Sequence, residues 1–265
     1  MLNGLDLFSG IGGITKALEE WVSPIAYCEI DRYSQGVLLS RMSEGELPVA
    51  PIWDNVETLK GDMLPIKPDI IYGGWPCTQI SCAGNGKGLA GEHSKLFYEI
   101  LRLAQEIRPP FIFLENVSAL RTRGLREVGE ELAGIGYDIR WDIVSSREAG
   151  ADHLRKRMFL LAHLNSEGFC KETHAPQKED LERIRKDFRR PEASPYIRGE
   201  WSNTPKICRE ADEVPHRMDR VKCLGGSVVP EQVKEAFKRL IGANNLIEND
   251  FTLFLKKRML ESWVK

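Results

Sequence analysis

Short apolar runs alternate with amphipathic stretches up to about residue 164, and this alternation constrains the fold more than any other feature. The apolar runs lie at residues 5–8, 25–28, 70–72, 111–114 and 157–162. Between them, apolar residues recur at helical spacing over residues 15–21, 34–42, 96–107 and 124–134. The alternation predicts βαβ units around a mainly parallel sheet, an α/β fold. Such sheets bind ligands where their strands end, so the residues just after each run matter most.

The composition changes after Asn165 and divides the chain into three predicted parts. Residues 166–215 are polar, rich in proline and charge, and show little periodicity, which is typical of a loop-rich module. Apolar order returns near residue 221, and a helix is predicted from about Pro230. The predicted parts are a catalytic and cofactor-binding domain (1–164), a small recognition module (165–216) and a return to the first domain (217–265).

Charge and cysteine usage limit the possible partners and cellular setting. Lysine plus arginine total 37 against 39 acidic residues, a net charge of −2, which excludes a polycationic binder but leaves room for a local basic groove. The six cysteines include no C-x-x-C pair, so we expect reduced thiols and no metal site. With no charged leader and no 18-residue apolar stretch, we expect a cytoplasmic protein without secretion or membrane insertion.

The ends of the first runs carry glycines and carboxylates typical of a cofactor site. The glycine-rich segment 8–13 follows the first run, but its third glycine comes one residue too early for the dinucleotide pattern G-x-G-x-x-G. Glu29 ends the second run, and Asp62 precedes the next. These carboxylates suit a ribose hydroxyl and an adenine amino group, or equally a helix cap or solvent. Without a basic partner, they favour S-adenosylmethionine, whose sulfonium is cationic, over a pyrophosphate.

Later strand ends carry the groups that could perform chemistry. Cys77 follows the run at 70–72, and the glycine-rich stretch after it has the composition of a mobile lid. Glu115 ends the next run, and Arg155 and Arg157 enter the last. We expect a thiol, a carboxyl group and two guanidinium groups on one face of the sheet.

In this order, these motifs resemble those of the cytosine-C5 DNA methyltransferases over nearly the whole chain. The resemblance implies a doubly wound, mainly parallel Rossmann-like sheet with a small target-recognition module, S-adenosylmethionine as donor and S-adenosylhomocysteine as product. The implied catalytic residues are Cys77, Glu115, Arg155 and Arg157. The implied cofactor-binding residues are Phe8, Ser9, Gly10, Ile11, Gly12, Gly13, Glu29, Ile30, Asp62, Met63, Gly74, Pro76, Ser227 and Val228. The predicted DNA-binding residues are Ser81, Asn85, Lys87, Arg217 and Arg220.

The implied reaction is DNA (cytosine-5) methylation of a flipped-out base. Cytosine C5 is a poor nucleophile, so Cys77 first adds to C6. Negative charge then grows toward N3 and O2, where a protonated Glu115 and the Arg155 guanidinium stabilise it. Burial would raise the pKa of Glu115 and keep it protonated.

At three positions the residue differs from the one usual in the family. Other functions also remain open. Thr78 and His153 each replace a glutamine, and Gly226 replaces an asparagine beside the cofactor. The alternatives are a transfer-RNA cytosine-5 methyltransferase, a related enzyme that transfers a modified alkyl group, and an inactive DNA-binding accessory subunit. Expected partners are double-stranded DNA, on which the protein acts as a monomer, and a cognate restriction endonuclease.

Overall fold

The chain folds around one seven-stranded sheet. The computed structural model describes residues 1–76, 95–164, 219, 223 and 226–242, to which every structural statement refers. The strands are β1 (Leu2–Leu7), β2 (Val22–Cys28), β3 (Ile52–Trp53), β4 (Ile70–Gly74), β5 (Phe111–Val117), β6 (Tyr137–Ser145) and β7 (Lys156–Leu164). The helices are α1 (Gly13–Ala17), α2 (Arg32–Ser43), α3 (Lys95–Ile107), α4 (Leu120–Arg123), α5 (Leu125–Gly134) and α6 (Pro230–Gly242), with a 3-10 turn at Gly61–Met63.

The sheet has the order β3-β2-β1-β4-β5-β7-β6. The first five strands in this order pair in parallel, and β7 pairs antiparallel with both β5 and β6. The carboxyl ends of the parallel strands therefore meet at one edge, and β7 begins at that edge because it runs in the opposite direction. The predicted α/β fold with a mainly parallel sheet is confirmed.

Helices cover both faces of the sheet, as expected of a doubly wound fold. On one face, buried side chains of α3 and α5, such as Phe97 and Leu132, belong to the same hydrophobic cluster as Leu5 and Leu7 of β1. On the other face, Ile14 of α1 and Phe237 of α6 join a second cluster. Alternate residues of β1 therefore face different helices, which is the period-2 pattern of a buried strand.

Several element bounds differ from the sequence-based predictions. The helix expected over 15–21 ends at Ala17, because β2 already begins at Val22. β6 was not predicted; it is an edge strand whose residues are mostly half-buried, so it lacks the continuous apolar run of the central strands. The helix expected from Pro230 is confirmed as α6. The predicted recognition module at 165–216 lies outside the described residues.

Candidate active site

A cavity of about 640 Å³ opens at the carboxyl ends of the parallel strands. Its wall combines the loop after β1, the ends of β2, β4 and β5, and the segment before α6. The lining residues that the sequence analysis singled out are Phe8, Ser9, Gly10, Ile11, Gly13, Glu29, Ile30, Gly74, Pro76, Glu115, Arg157, Gly226, Ser227 and Val228. The tertiary structure thus brings residues from both ends of the chain into one site.

The loop after β1 forms one wall in a conformation that needs glycine. Gly10 and Gly12 have φ angles of 54° and 81°, and Phe8 also has a positive φ of 54°. Ser9 ties the loop to β2, because its backbone N–H donates to the Cys28 carbonyl at 3.1 Å. Gly12 packs against Leu47 and does not line the cavity. At Gly10 the loop therefore presents bare backbone to a ligand, beside the apolar side chains of Phe8 and Ile11.

A buried polar network lies beneath this loop, and sequence reasoning missed it. Thr15 donates from its hydroxyl to Asp6 Oδ2 at 2.6 Å, so Tyr72 must donate its own hydroxyl proton to Thr15, at 2.8 Å. Burial raises the pKa of Asp6 to about 7; the Thr15 bond opposes this shift, and the nearby Glu29 charge adds to it. The sequence signal is an acidic residue inside the otherwise apolar run at 5–8.

Glu29 lies at the end of β2 and is fixed by backbone donors. Its Oε2 accepts from the Gly10 N–H at 2.7 Å, and its Oε1 accepts from the Asp31 N–H at 2.8 Å. Each carboxylate oxygen has a further lone pair for a ligand. Ile30 beside it lines the cavity with a side chain that is 71% exposed, which leaves an apolar surface for a flat ring.

Asp62 and Met63 are exposed on the 3-10 turn and are not among the lining residues. Side chains of α3 hold the preceding segment: Arg102 donates to the carbonyls of Val56 and Leu59 at 2.9 and 2.8 Å, and Glu106 accepts from the Gly61 N–H at 2.9 Å. At this end the cavity is lined instead by residues 55–57, which the sequence analysis missed. Their only signal is a polar stretch directly after the apolar pair of β3.

Glu115 lies near the end of β5, on the opposite side of the cavity, and is only 8% exposed. A Cβ on Gly74 would lie 2.7 Å from Glu115 Oε2, so the carboxyl group needs a glycine at the end of β4. The adjacent Asn116 donates from Nδ2 to the Trp75 carbonyl at 3.3 Å. This contact holds the segment that leads through Pro76 to Cys77 in the sequence.

The two arginines of β7 and its entry have different partners. Arg157 pairs through Nε with Glu115 Oε1 at 2.8 Å and lines the cavity. Arg155 donates from its guanidinium to the Ser227 carbonyl and is not among the lining residues. Arg157 is therefore the arginine of this pair that lines the cavity, and the role of Arg155 beside the base stays a prediction.

The position of Glu115 changes its acidity. Burial raises its pKa to about 7, and the charges of Arg157 and Arg155, together with the Arg157 hydrogen bond, oppose this shift. The carboxyl group is therefore close to half protonated at neutral pH, the range expected of a general acid.

Comparison with known proteins identifies the family to which this site belongs. A family model described as C-5 cytosine-specific DNA methylase matches residues 2–208. The chain belongs to that family. Its relatives include the type II methyltransferase M.CviJI of Paramecium bursaria Chlorella virus IL3A, which is 30% identical over 240 residues that cover 89% of this chain and 58% of the viral protein. The type II methyltransferase M.HhaI of Haemophilus parahaemolyticus is 29% identical over 169 residues, 62% of this chain and 50% of that protein.

The chain spans about half the length of the curated relatives it matches. Solved structures share its fold. The Entamoeba histolytica methyltransferase EhMeth has a TM-score of 0.52 at 19% identity, covering 67% of this chain and 57% of that one. S. pombe Dnmt2 has a TM-score of 0.50 at 21% identity, covering 65% of this chain and 51% of that one.

Several site residues predicted from the family resemblance lie outside the described residues. They are Cys77, Ser81, Asn85, Lys87, Arg217 and Arg220. In the described part of the chain, no helix is long and apolar enough to cross a membrane.

Proposed function

We propose that the protein methylates C5 of cytosine in DNA, with S-adenosylmethionine as the methyl donor. One observation carries the proposal: a single cavity has Glu29 and the glycine loop on one side and the Glu115–Arg157 pair on the other. Pro76, the residue before Cys77, lines the same cavity. A cofactor and a flipped base can therefore share one enclosed space, as transfer between them requires.

The glycine-loop side fits an adenosyl cofactor. Gly10 has open space where a side chain would project, and Glu29 presents a carboxylate that backbone donors already orient. Among the described residues, no lysine or arginine lines this side, which suits a cationic sulfonium better than a phosphate. When bound, S-adenosylmethionine supplies a methyl group on a positively charged sulfur. Glu29 would bind the ribose and Ile30 would contact the adenine; a role for Asp62 stays a prediction.

The Glu115 side suits activation of the cytosine ring. The Cys77 thiolate adds its electron pair to C6, and the displaced ring electrons make C5 nucleophilic while charge grows at N3 and O2. Protonated Glu115 donates to N3, and the Arg157 guanidinium stabilises the charge at O2. After C5 has been alkylated, a base removes the C5 proton, and the electron pair of that bond expels the thiolate and restores the ring.

The target base must leave the duplex to reach this cavity. Ser81, Asn85 and Lys87 are the proposed contacts around the vacated position, and Arg217 and Arg220 are proposed phosphate contacts. A cognate endonuclease belongs to the same proposal, supported by the type II names of the relatives, and action as a monomer on DNA stays a prediction.

Incorporation of a labelled methyl group tests the function directly. The purified chain is expected to transfer the label from S-adenosylmethionine to cytosine in duplex DNA, and Cys77→Ala to transfer none. A duplex with 5-fluorocytosine at the target should trap a covalent adduct with the wild type and not with the variant, because the fluorine cannot leave as a proton does. Transfer to transfer RNA with none to DNA, or no transfer at all, contradicts the proposal. Bisulfite sequencing of DNA from expressing cells then gives the target.

A further inference from the structure

Arg155 is fixed by its backbone at the entry to β7. Its N–H donates to Ser146 Oγ at 2.9 Å, and its carbonyl accepts from the Ser146 N–H at 2.9 Å. The same carbonyl accepts from Gln232 Nε2 of α6 at 2.7 Å, and Gln232 also donates to the Val144 carbonyl at 2.7 Å. The position of this residue therefore depends on α6 as well as on its own strand.

Burial of the polar Gln232 side chain costs free energy, and the two hydrogen bonds that its Nε2 donates offset that cost. The side chain is fully buried, and its Oε1 has no hydrogen-bond partner among the described residues. A buried acceptor without a partner costs free energy, so an apolar side chain would suit this oxygen better. The two N–H bonds to β6 and to Arg155 are what an apolar residue could not replace.

The guanidinium of Arg155 reaches the segment that closes the cavity. It donates to the carbonyl of Ser227, which lines the cavity together with Gly226 and Val228. Val228 in turn lies against the glycine loop, where a Cβ on Gly13 would be 2.9 Å from Val228 Cγ2. Contacts thus run from Gln232 through Arg155 and Ser227 to the cofactor side of the cavity.

The electrostatic surroundings separate the roles of the two arginines. Burial and the neighbouring Arg157 charge lower the pKa of Arg155 from its usual value, and Glu115 opposes this shift. Arg157 forms the ion pair with Glu115, and the Arg155 guanidinium donates to the Ser227 carbonyl. A charged donor to a carbonyl is stronger than a neutral one, which suits Arg155 to hold a segment in place.

We propose that Arg155 and Gln232 are positioning residues that fasten segment 226–228 to the entry of β7, so that cofactor affinity, rather than chemistry at the base, depends on them. The inference rests on the proposed function, because it concerns the cofactor side of the same cavity. Cofactor affinity and the rate of chemistry must therefore be measured separately.

Calorimetric titration with S-adenosylhomocysteine measures affinity without turnover. Arg155→Met is expected to raise its Kd about tenfold, since it removes a hydrogen bond from a charged donor. Gln232→Leu is expected to raise it by roughly threefold, since the loss is indirect. Arg155→Lys keeps a charged donor and should recover part of the affinity. Arg140→Met is the matched control, because Arg140 is another half-buried arginine, on β6 and outside the cavity lining.

Methylation rates over a range of S-adenosylmethionine concentrations, together with the rate at saturating cofactor, separate positioning from catalysis. Arg155→Met should raise the KM for the cofactor and keep kcat within about twofold of the wild type, whereas Arg157→Met should lower kcat by roughly a hundredfold. If Arg155 acted through its charge, Arg155→Met would favour the cationic S-adenosylmethionine over neutral S-adenosylhomocysteine. A hydrogen-bond role predicts equal weakening of both ligands.

Opposite results overturn the inference. A tenfold loss of kcat in Arg155→Met with an unchanged Kd would place Arg155 at the base, and equal effects in Arg140→Met would reduce the result to general destabilisation. If Arg155→Met does not fold, Val228→Ala tests the other end of the contacts that run from Gln232 through Arg155 to segment 226–228. An unchanged Kd for S-adenosylhomocysteine in Val228→Ala would contradict the proposal. Absence of S-adenosylhomocysteine binding to the wild type would instead overturn the proposed function.

Discussion

Glu29 directly follows β2 and Glu115 lies near the end of β5; both line the same cavity, yet their surroundings are opposite. Glu29 accepts two backbone N–H groups on a partly exposed rim. Glu115 is buried, faces one guanidinium, and has a pKa raised to about 7. The residue type is the same at both places, so the surroundings, and for Glu115 burial above all, distinguish the two carboxyl groups.

Of the changes that test this comparison, replacement of Glu115 should have the largest effect. Glu115→Gln is expected to lower single-turnover kcat roughly 100- to 1,000-fold, because the amide cannot pass a proton to N3 of cytosine. The Kd for S-adenosylhomocysteine should stay within about twofold, since Glu115 lies on the far side of the cavity. A loss of cofactor affinity as large as the loss of kcat would contradict this division of roles.

The next largest effect should be the decline of wild-type kcat as the pH rises above about 7. The raised pKa means that Glu115 loses its proton as the pH rises through about 7. The general acid then declines up to about tenfold for each further pH unit, while Cys77 ionisation acts in the opposite direction. Glu115→Gln should lack the alkaline decline. Asp6 also titrates near 7, so Asp6→Asn is the control and should retain that decline.

Glu29→Gln should show the reverse pattern of Glu115→Gln. It weakens the charged acceptor that holds Gly10 and Asp31, and about a tenfold rise in the Kd for S-adenosylhomocysteine is expected. At saturating cofactor, kcat should stay within about twofold of the wild type. An unchanged Kd would mean that Glu29 serves the loop alone and not the ligand.

Alanine at two of the glycines that line the cavity should have smaller effects, one on each side of the comparison. Gly74→Ala places a methyl group against Glu115 Oε2 and should lower kcat several-fold. Gly10→Ala strains a backbone with φ of 54° by about 1 kcal/mol and should raise the cofactor Kd by a few-fold. Gly45→Ala is the control for backbone strain outside the site, because Gly45 also has a positive φ and open space around it. It should change neither kcat nor the cofactor Kd.

Asp62→Asn is expected to have the smallest effect. The residue is exposed and is not among the cavity lining, so the Kd for S-adenosylhomocysteine should change less than about twofold. Asn55→Ala, within the lining, should change it more. A tenfold loss in Asp62→Asn alone would restore the assignment of Asp62 to the adenine.

Much of the architecture was predictable because local pattern and packing agree. The runs at 70–72 and 111–114 are central strands buried on both faces, which makes them continuously apolar. The edge strands β3 and β6 were not predicted, because half-exposed edges do not need a continuous apolar run. The bounds of α1 were wrong because β2 follows so closely, which no helical spacing reveals.

The sequence by itself determined the family, the α/β fold and the chemical groups at the strand ends, since motif order and apolar periodicity are written along the chain. Only the tertiary structure decided which of those groups contact one another and which line the cavity. It paired Glu115 with Arg157, directed Arg155 to Ser227, and brought residues 55–57 rather than Asp62 to the cavity. These outcomes depend on burial and on which donor lies nearest in space, and neither is recorded in the order of residues.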